Sequence, residues 1–147
     1  MHVALPAAIA AGILIAVQSA IIGAFGDRLH PFVAAFWVHV GGLVFGFVGV
    51  LVARLDFAPA VIRQAPWGLL AGVAGMLLVT GIAIAVGGIG LASTLAIVTG
   101  VQLVAGFAIE ATGVLGRAVA LDPVRVGGAL LIVVGVYLVA SRGPGVA

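Results

Sequence analysis

Residues 91–116 read LASTLAIVTGVQLVAGFAIEATGVLG. The stretch is long and apolar enough to cross a bilayer as a helix, which takes about 20 residues, yet Thr99, Gln102 and Glu110 stand inside it. An amide in hydrocarbon is costly unless something hydrogen-bonds it, so a membrane helix that carries one is buried against other helices or lines a cavity. The rest of the chain has to supply that cover.

The composition agrees. Of 147 residues, 65% are hydrophobic and 7% charged, with a mean hydropathy of +1.45, whereas a soluble domain carries about a quarter of its residues charged. This is the composition of an integral membrane protein. No stretch is polar or long enough to form a separate soluble domain, so one transmembrane domain over residues 1–147 is expected. The chain has no cysteine, which excludes disulfides, thiolate metal sites and thiol catalysis. The sequence pI near 10.6 comes from six arginines against four acids spread thinly along the chain. Nucleic-acid binding needs such charges clustered on one wetted face, so no nucleic-acid partner is expected. The opening MHVALPAAIAAG lacks the Lys or Arg of a signal-peptide start, and it reads as a retained first helix.

Five apolar stretches stand out, at residues 6–25, 31–52, 66–86, 91–111 and 123–140. Four open with proline, which suits the first turn of a helix because its missing N–H has no partner there. The fourth follows Gly87-Gly88-Ile89-Gly90, read as a tight, uncharged link holding the third and fourth helices as a close antiparallel hairpin. The fold class is therefore all-α membrane, a bundle of five transmembrane helices. Alternation puts Arg54, Arg63, Arg117 and Arg125 on one side and Arg28 and Arg142 on the other. The positive-inside rule then places the N-terminus in the cytoplasm, with a bias small enough for insertion in both orientations. Small residues recur at helical spacing, and the fifth stretch combines Gly128 and Gly135 with no polar side chain between Arg125 and Tyr137. That stretch is the candidate dimer contact or lipid face.

Depth follows from counting about 1.5 Å per residue from each helix start. Gln18 lies about 18 Å up the first helix and Thr80 about 21 Å up the third, while His39 is about 12 Å down the second. Thr99 and Gln102 fall about 12 and 16 Å down the fourth. These positions form one central slab, and transporters commonly bind substrate near the midplane. Gln18, His39, Thr99 and Gln102 are the candidate substrate-binding residues. Each has a plainer reading. Thr80 and Thr99 can bond to carbonyls of their own helices, the two glutamines can simply join helices, and His39 can be a neutral imidazole bonded to a neighbouring helix. His39 and Glu110 are the candidates for proton coupling, because imidazole titrates near neutrality and a carboxylate can hold a proton or a substrate. Glu110, about 28 Å down its helix, should sit near the cytoplasmic interface within reach of water or Arg117.

Catalysis is not expected. The chain has no Ser-His-Asp set, no cluster of metal ligands and no GKS/GKT run, and His39 has no carboxylate at its depth to make it a base beside a nucleophile. No metal and no cofactor is called for.

The run from Gln102-Leu103 through Glu110 to Gly113-Val114-Leu115-Gly116, the segment Gln18-Ser19-Ala20-Ile21, and the ending over residues 123–137 resemble the YdcZ family. That family comprises five-helix bacterial inner-membrane proteins of the drug/metabolite transporter superfamily. The family has an acidic residue, usually Asp, at the place of Glu110, an Asn at the place of Ile22 and an aromatic at the place of His39. The resemblance implies a small exporter of the inner membrane that works as a dimer. The related small multidrug resistance proteins, with four helices, pair antiparallel and exchange protons for cations on a first-helix glutamate, and Gln18 occupies a comparable place without the charge.

The sequence thus points to a transporter that moves a small molecule by alternating access in a homodimer, parallel or antiparallel, among membrane lipids. Amides, hydroxyls and His39 suit a neutral or weakly charged solute. The rival readings are a non-transporting subunit, and a passive pore or lipid-headgroup carrier.

Overall fold

In hydrocarbon every backbone N–H and C=O has to be bonded within the protein, which leaves helices as the natural form for apolar runs of this length. The computed structural model describes residues 3–25, 28–112 and 122–141, and among them all regular structure is helical. The order is α1 (Ala4–Phe25), α2 (Pro31–Val52), the short α3 (Pro59–Gln64), a 3-10 turn (Pro66–Leu69) running into α4 (Leu70–Ile89), α5 (Leu91–Thr112) and α6 (Pro123–Ser141). Five segments among the described residues are long and apolar enough to cross a membrane: α1, α2, Pro66–Ile89, α5 and α6.

Helix starts carry the expected chemistry. His30 precedes Pro31 and its Nδ1 accepts the Phe32 N–H at 3.3 Å. Asp122 does the same for α6, its Oδ1 accepting the Val124 N–H at 3.0 Å. Each cap satisfies one of the backbone donors that a helix start leaves unpaired. Pro6 falls inside the first turn of α1, where its missing N–H costs nothing.

Two connections differ from expectation. The glycines at 87 and 88 do not form a link, since α4 runs through them to Ile89 and only Gly90, at φ 79°, leaves the helix. Glycine is a poor helix residue in water, but in hydrocarbon no solvent competes for its backbone groups, so the intrahelical bonds persist. The left-handed φ that ends the helix is one that glycine adopts without strain. The connection over residues 53–65 contains α3. It begins with Arg54 at φ 54°, a conformation unusual for a residue with a Cβ, and the Leu55 N–H reaches back to the Val50 carbonyl at 3.0 Å. Asp56 Oδ1 accepts the Ala58 N–H at 3.1 Å, and the Phe57 ring sits 5.7 Å from the Phe47 ring of α2. The connection between α5 and α6, with Gly113, Gly116 and Arg117, lies outside the described residues, as do Asp27 and Arg142.

The chain divides into two compact units, Met1–Gly87 and Gly88–Ala147. In the first, Ile22 of α1, Ala35 of α2, and Val79 and Ala83 of α4 form a small core flanked by Val38 and Met76. Small side chains here let backbones come close. Gly23 is one such place, because the side chain of Val86 occupies the position a Cβ would take. In the second unit α5 packs along α6, and a Cβ on the buried Gly100 would lie 3.0 Å from Val136 Cγ2. Most large apolar side chains point outward, as suits a protein whose surroundings are hydrocarbon.

Gly23→Leu and Gly100→Leu should each lower stability by about 1–3 kcal/mol through overpacking. Gly12→Leu, whose new side chain meets nothing within 4 Å of its Cβ, should change it by less than about 0.5 kcal/mol. Thermal unfolding in detergent micelles checks this, and equal melting of all three variants would mean that the helices do not meet at these glycines.

Candidate functional site

A hydroxyl inside a membrane helix has an easy remedy, because it can donate to the carbonyl one turn back along its own helix. Ser19 Oγ donates to the Ile15 carbonyl, Thr80 Oγ1 to that of Met76 and Thr94 Oγ1 to that of Gly90, each at 2.7 Å. Ser19 and Thr94 are almost fully buried, and Ser93, next to Thr94 in sequence, is buried too. Ser19, Ser93 and Thr94 were not among the expected site residues. The signal in the sequence was helical spacing, since Ser19 shares the inward face of α1 with Ile22 three residues on.

An amide has two donors and an acceptor to satisfy and cannot use that remedy fully. Gln18 follows Val17 and precedes the buried Ser19, and successive helical side chains diverge by about 100°, so Gln18 is exposed on the outer side of α1. There it lines a cleft of about 550 Å³ between α1 and α2.

His39 is half-buried on α2. Its Nδ1 lies 2.8 Å from the Ala35 carbonyl, and a carbonyl only accepts, so Nδ1 is the donor in this contact. Nε2 points at α4, 3.1 Å from where a Cβ on Gly75 would stand. The missing side chain of Gly75 is what admits the imidazole. Thr80 is thus satisfied within α4, while His39 bonds its own helix through Nδ1 and leaves Nε2 without a partner on that helix.

On α5 the polar and apolar faces are separate. Gln102, Leu103, Gly106, Phe107 and Glu110 line one cleft of about 140 Å³. The opposite face joins α6 around an apolar cleft of about 420 Å³, where Gly100, Val104 and Ala108 face Val133 and Val136. Thr99, Gln102 and Glu110 are all exposed. The structure therefore brings Gln102 and Glu110, two turns apart, onto one groove, an amide and a carboxylate with an aromatic ring beside them. Arg117, the expected partner of Glu110, lies outside the described residues. Among the described residues no three His, Asp or Glu side chains gather as a metal would require.

The family described as "Putative inner membrane exporter, YdcZ" matches residues 3–138. No curated protein and no solved structure matches the chain.

Nitrogen-15 NMR of histidine-labelled protein should show His39 in its neutral form protonated at Nδ1. Gly75→Ala, which forces the ring to shift, should move the His39 signals and leave those of His30 in place. A neutral His39 protonated at Nε2 would contradict the packing described.

Proposed function

The chain belongs to the YdcZ family of inner-membrane exporters, and on that premise we propose that it carries a small, neutral or weakly charged solute across the membrane by alternating access in a homodimer. The five long apolar helices among the described residues fit a small multi-pass membrane transporter. The exposure of Gln18, Thr99, Gln102 and Glu110 within apolar spans supports the reading most directly. Facing lipid, the two glutamines would lose hydrogen bonds to water that their own helices cannot replace. Facing a water-filled path or a second copy, each has partners, and polar residues placed this way mark substrate routes in membrane proteins.

A second copy has a surface available. A Cβ built on Gly128 or Gly135 of α6 meets nothing within 4 Å, and none of the residues of α6 is buried. That face is our proposed dimer contact, close approach being the advantage small residues offer in lipid. Arg54 and Arg63 between α2 and α4, with Arg125 at the start of α6, favour a cytoplasmic N-terminus. The bias is weak enough that antiparallel pairing belongs to the same proposal. In it Gln18, His39, Thr99 and Gln102 bind the solute, while Glu110 stays at the interface and carries no coupled proton.

Proteoliposomes followed by light scattering in isosmotic panels of neutral and weakly charged solutes, with a pH dye inside, test this. The native protein should give saturable flux for some solute, Gln102→Leu should lose about tenfold or more, and Glu110→Gln should retain it. Gly128→Leu combined with Gly135→Leu should yield monomers of unchanged helix content. Proton-driven flux abolished by Glu110→Gln but kept by Gln102→Leu would contradict the assignment. Flux that never saturates would indicate a pore, and no flux for any solute would indicate a subunit of something larger.

A further inference from the structure

The cleft between α1 and α2 has a composition that narrows its occupant. Leu14, Val17 and Ile21 of α1 and Phe45 of α2 wall it, and Gln18 is its one polar side chain. Gly41 and Gly42 form part of the lining, and a Cβ on either would meet nothing within 4 Å, so the space over them is open. A volume of about 550 Å³ falls within the usual range for small-molecule sites, which are mostly apolar with a few placed polar groups.

We infer that this cleft binds an uncharged small molecule with a largely apolar body and one hydrogen-bonding group, a carbonyl or hydroxyl, which pairs with the Gln18 amide. A sugar needs many hydrogen bonds and the cleft offers one amide. An ion needs a counter-charge, and among the described residues no charged side chain lines the cleft. A lipid acyl chain matches the walls but leaves the amide without a partner, the costly arrangement in hydrocarbon. Leu14, Val17, Ile21 and Phe45 are all exposed, so the cleft is open to such a molecule from outside the chain. Calling the ligand a substrate rests on the transport reading above; the binding itself does not.

Benzophenone tests the inference, being a neutral apolar molecule with one carbonyl that also cross-links to nearby C–H groups under light. With the native protein in lipid nanodiscs, mass spectrometry should find the adducts concentrated on residues 14–21 and 38–45. Excess fluorenone should compete for them, and fluorene, the same rings without the carbonyl, should compete about tenfold less well. Gln18→Leu, a change at an exposed position that leaves the core untouched, should lower labelling by a similar factor. Labelling spread evenly over the outward faces of α1, α2, α5 and α6, or unchanged in Gln18→Leu, would overturn the inference. So would a Gln18→Cys variant that forms disulfide-linked dimers while the cleft stays unlabelled, since a second copy would then fill it. Labelling without flux of any solute upholds the site and removes the transport reading, whereas flux without labelling overturns the site alone.

Discussion

A polar side chain placed in hydrocarbon must find a partner, and the different ways in which hydroxyls, imidazole and amides can do so organise this protein. Ser19, Thr80 and Thr94 each satisfy themselves on the preceding turn at 2.7 Å, so Ser19 and Thr94 can be buried and Thr80 half-buried. His39 does so with one nitrogen and needs the notch at Gly75 for the other. Gln18 and Gln102 cannot, and both lie on the outside of the chain in clefts. The groups that a single chain cannot satisfy are the ones it leaves facing outward.

That division explains the modest interior. The core of the first unit rests on Ile22, Ala35, Val79 and Ala83, small or compact side chains that permit close helix packing. Gly23 against Val86, Gly75 against His39 and Gly100 against Val136 act in the same way. Hydrophobic residues elsewhere have no need to hide, since exposure to lipid costs them nothing. Stability in such a protein comes from close packing and from bonded backbone groups, and polar side chains are freed for function.

Much of the fold was legible in the residues. Spanning length with a proline start marked α2 and α6, and spanning length after a glycine-rich run marked α5, each to within a residue or two. The pattern failed where soluble-protein punctuation was applied to a membrane helix: Gly87 and Gly88 read as a link, but the lipid environment keeps them helical as far as Gly90. The short helix α3 was also missed, because its two turns between Pro59 and Gln64 carry too little periodicity to show. For the site, counting residues along a helix yields depth but not direction. It could place Gln18 and Ser19 at one level, yet not tell that one turns outward and the other inward. Nor could it show that Gln102 and Glu110, assigned to different depths, share one groove.

The outward polar face of α5 is the feature on which the proposed transport depends, and the absence of native cysteine makes it directly accessible to single labels. Spin labels at Gln102→Cys and Val101→Cys, in protein reconstituted into lipid, can be compared for relaxation by oxygen, which partitions into hydrocarbon, and by a water-soluble nickel chelate. The label at 102 should respond more to nickel and the label at 101 more to oxygen, as expected if the amide face meets a water-filled path. Oxygen dominating at both positions would place that face in lipid and remove the basis for a substrate route along α5.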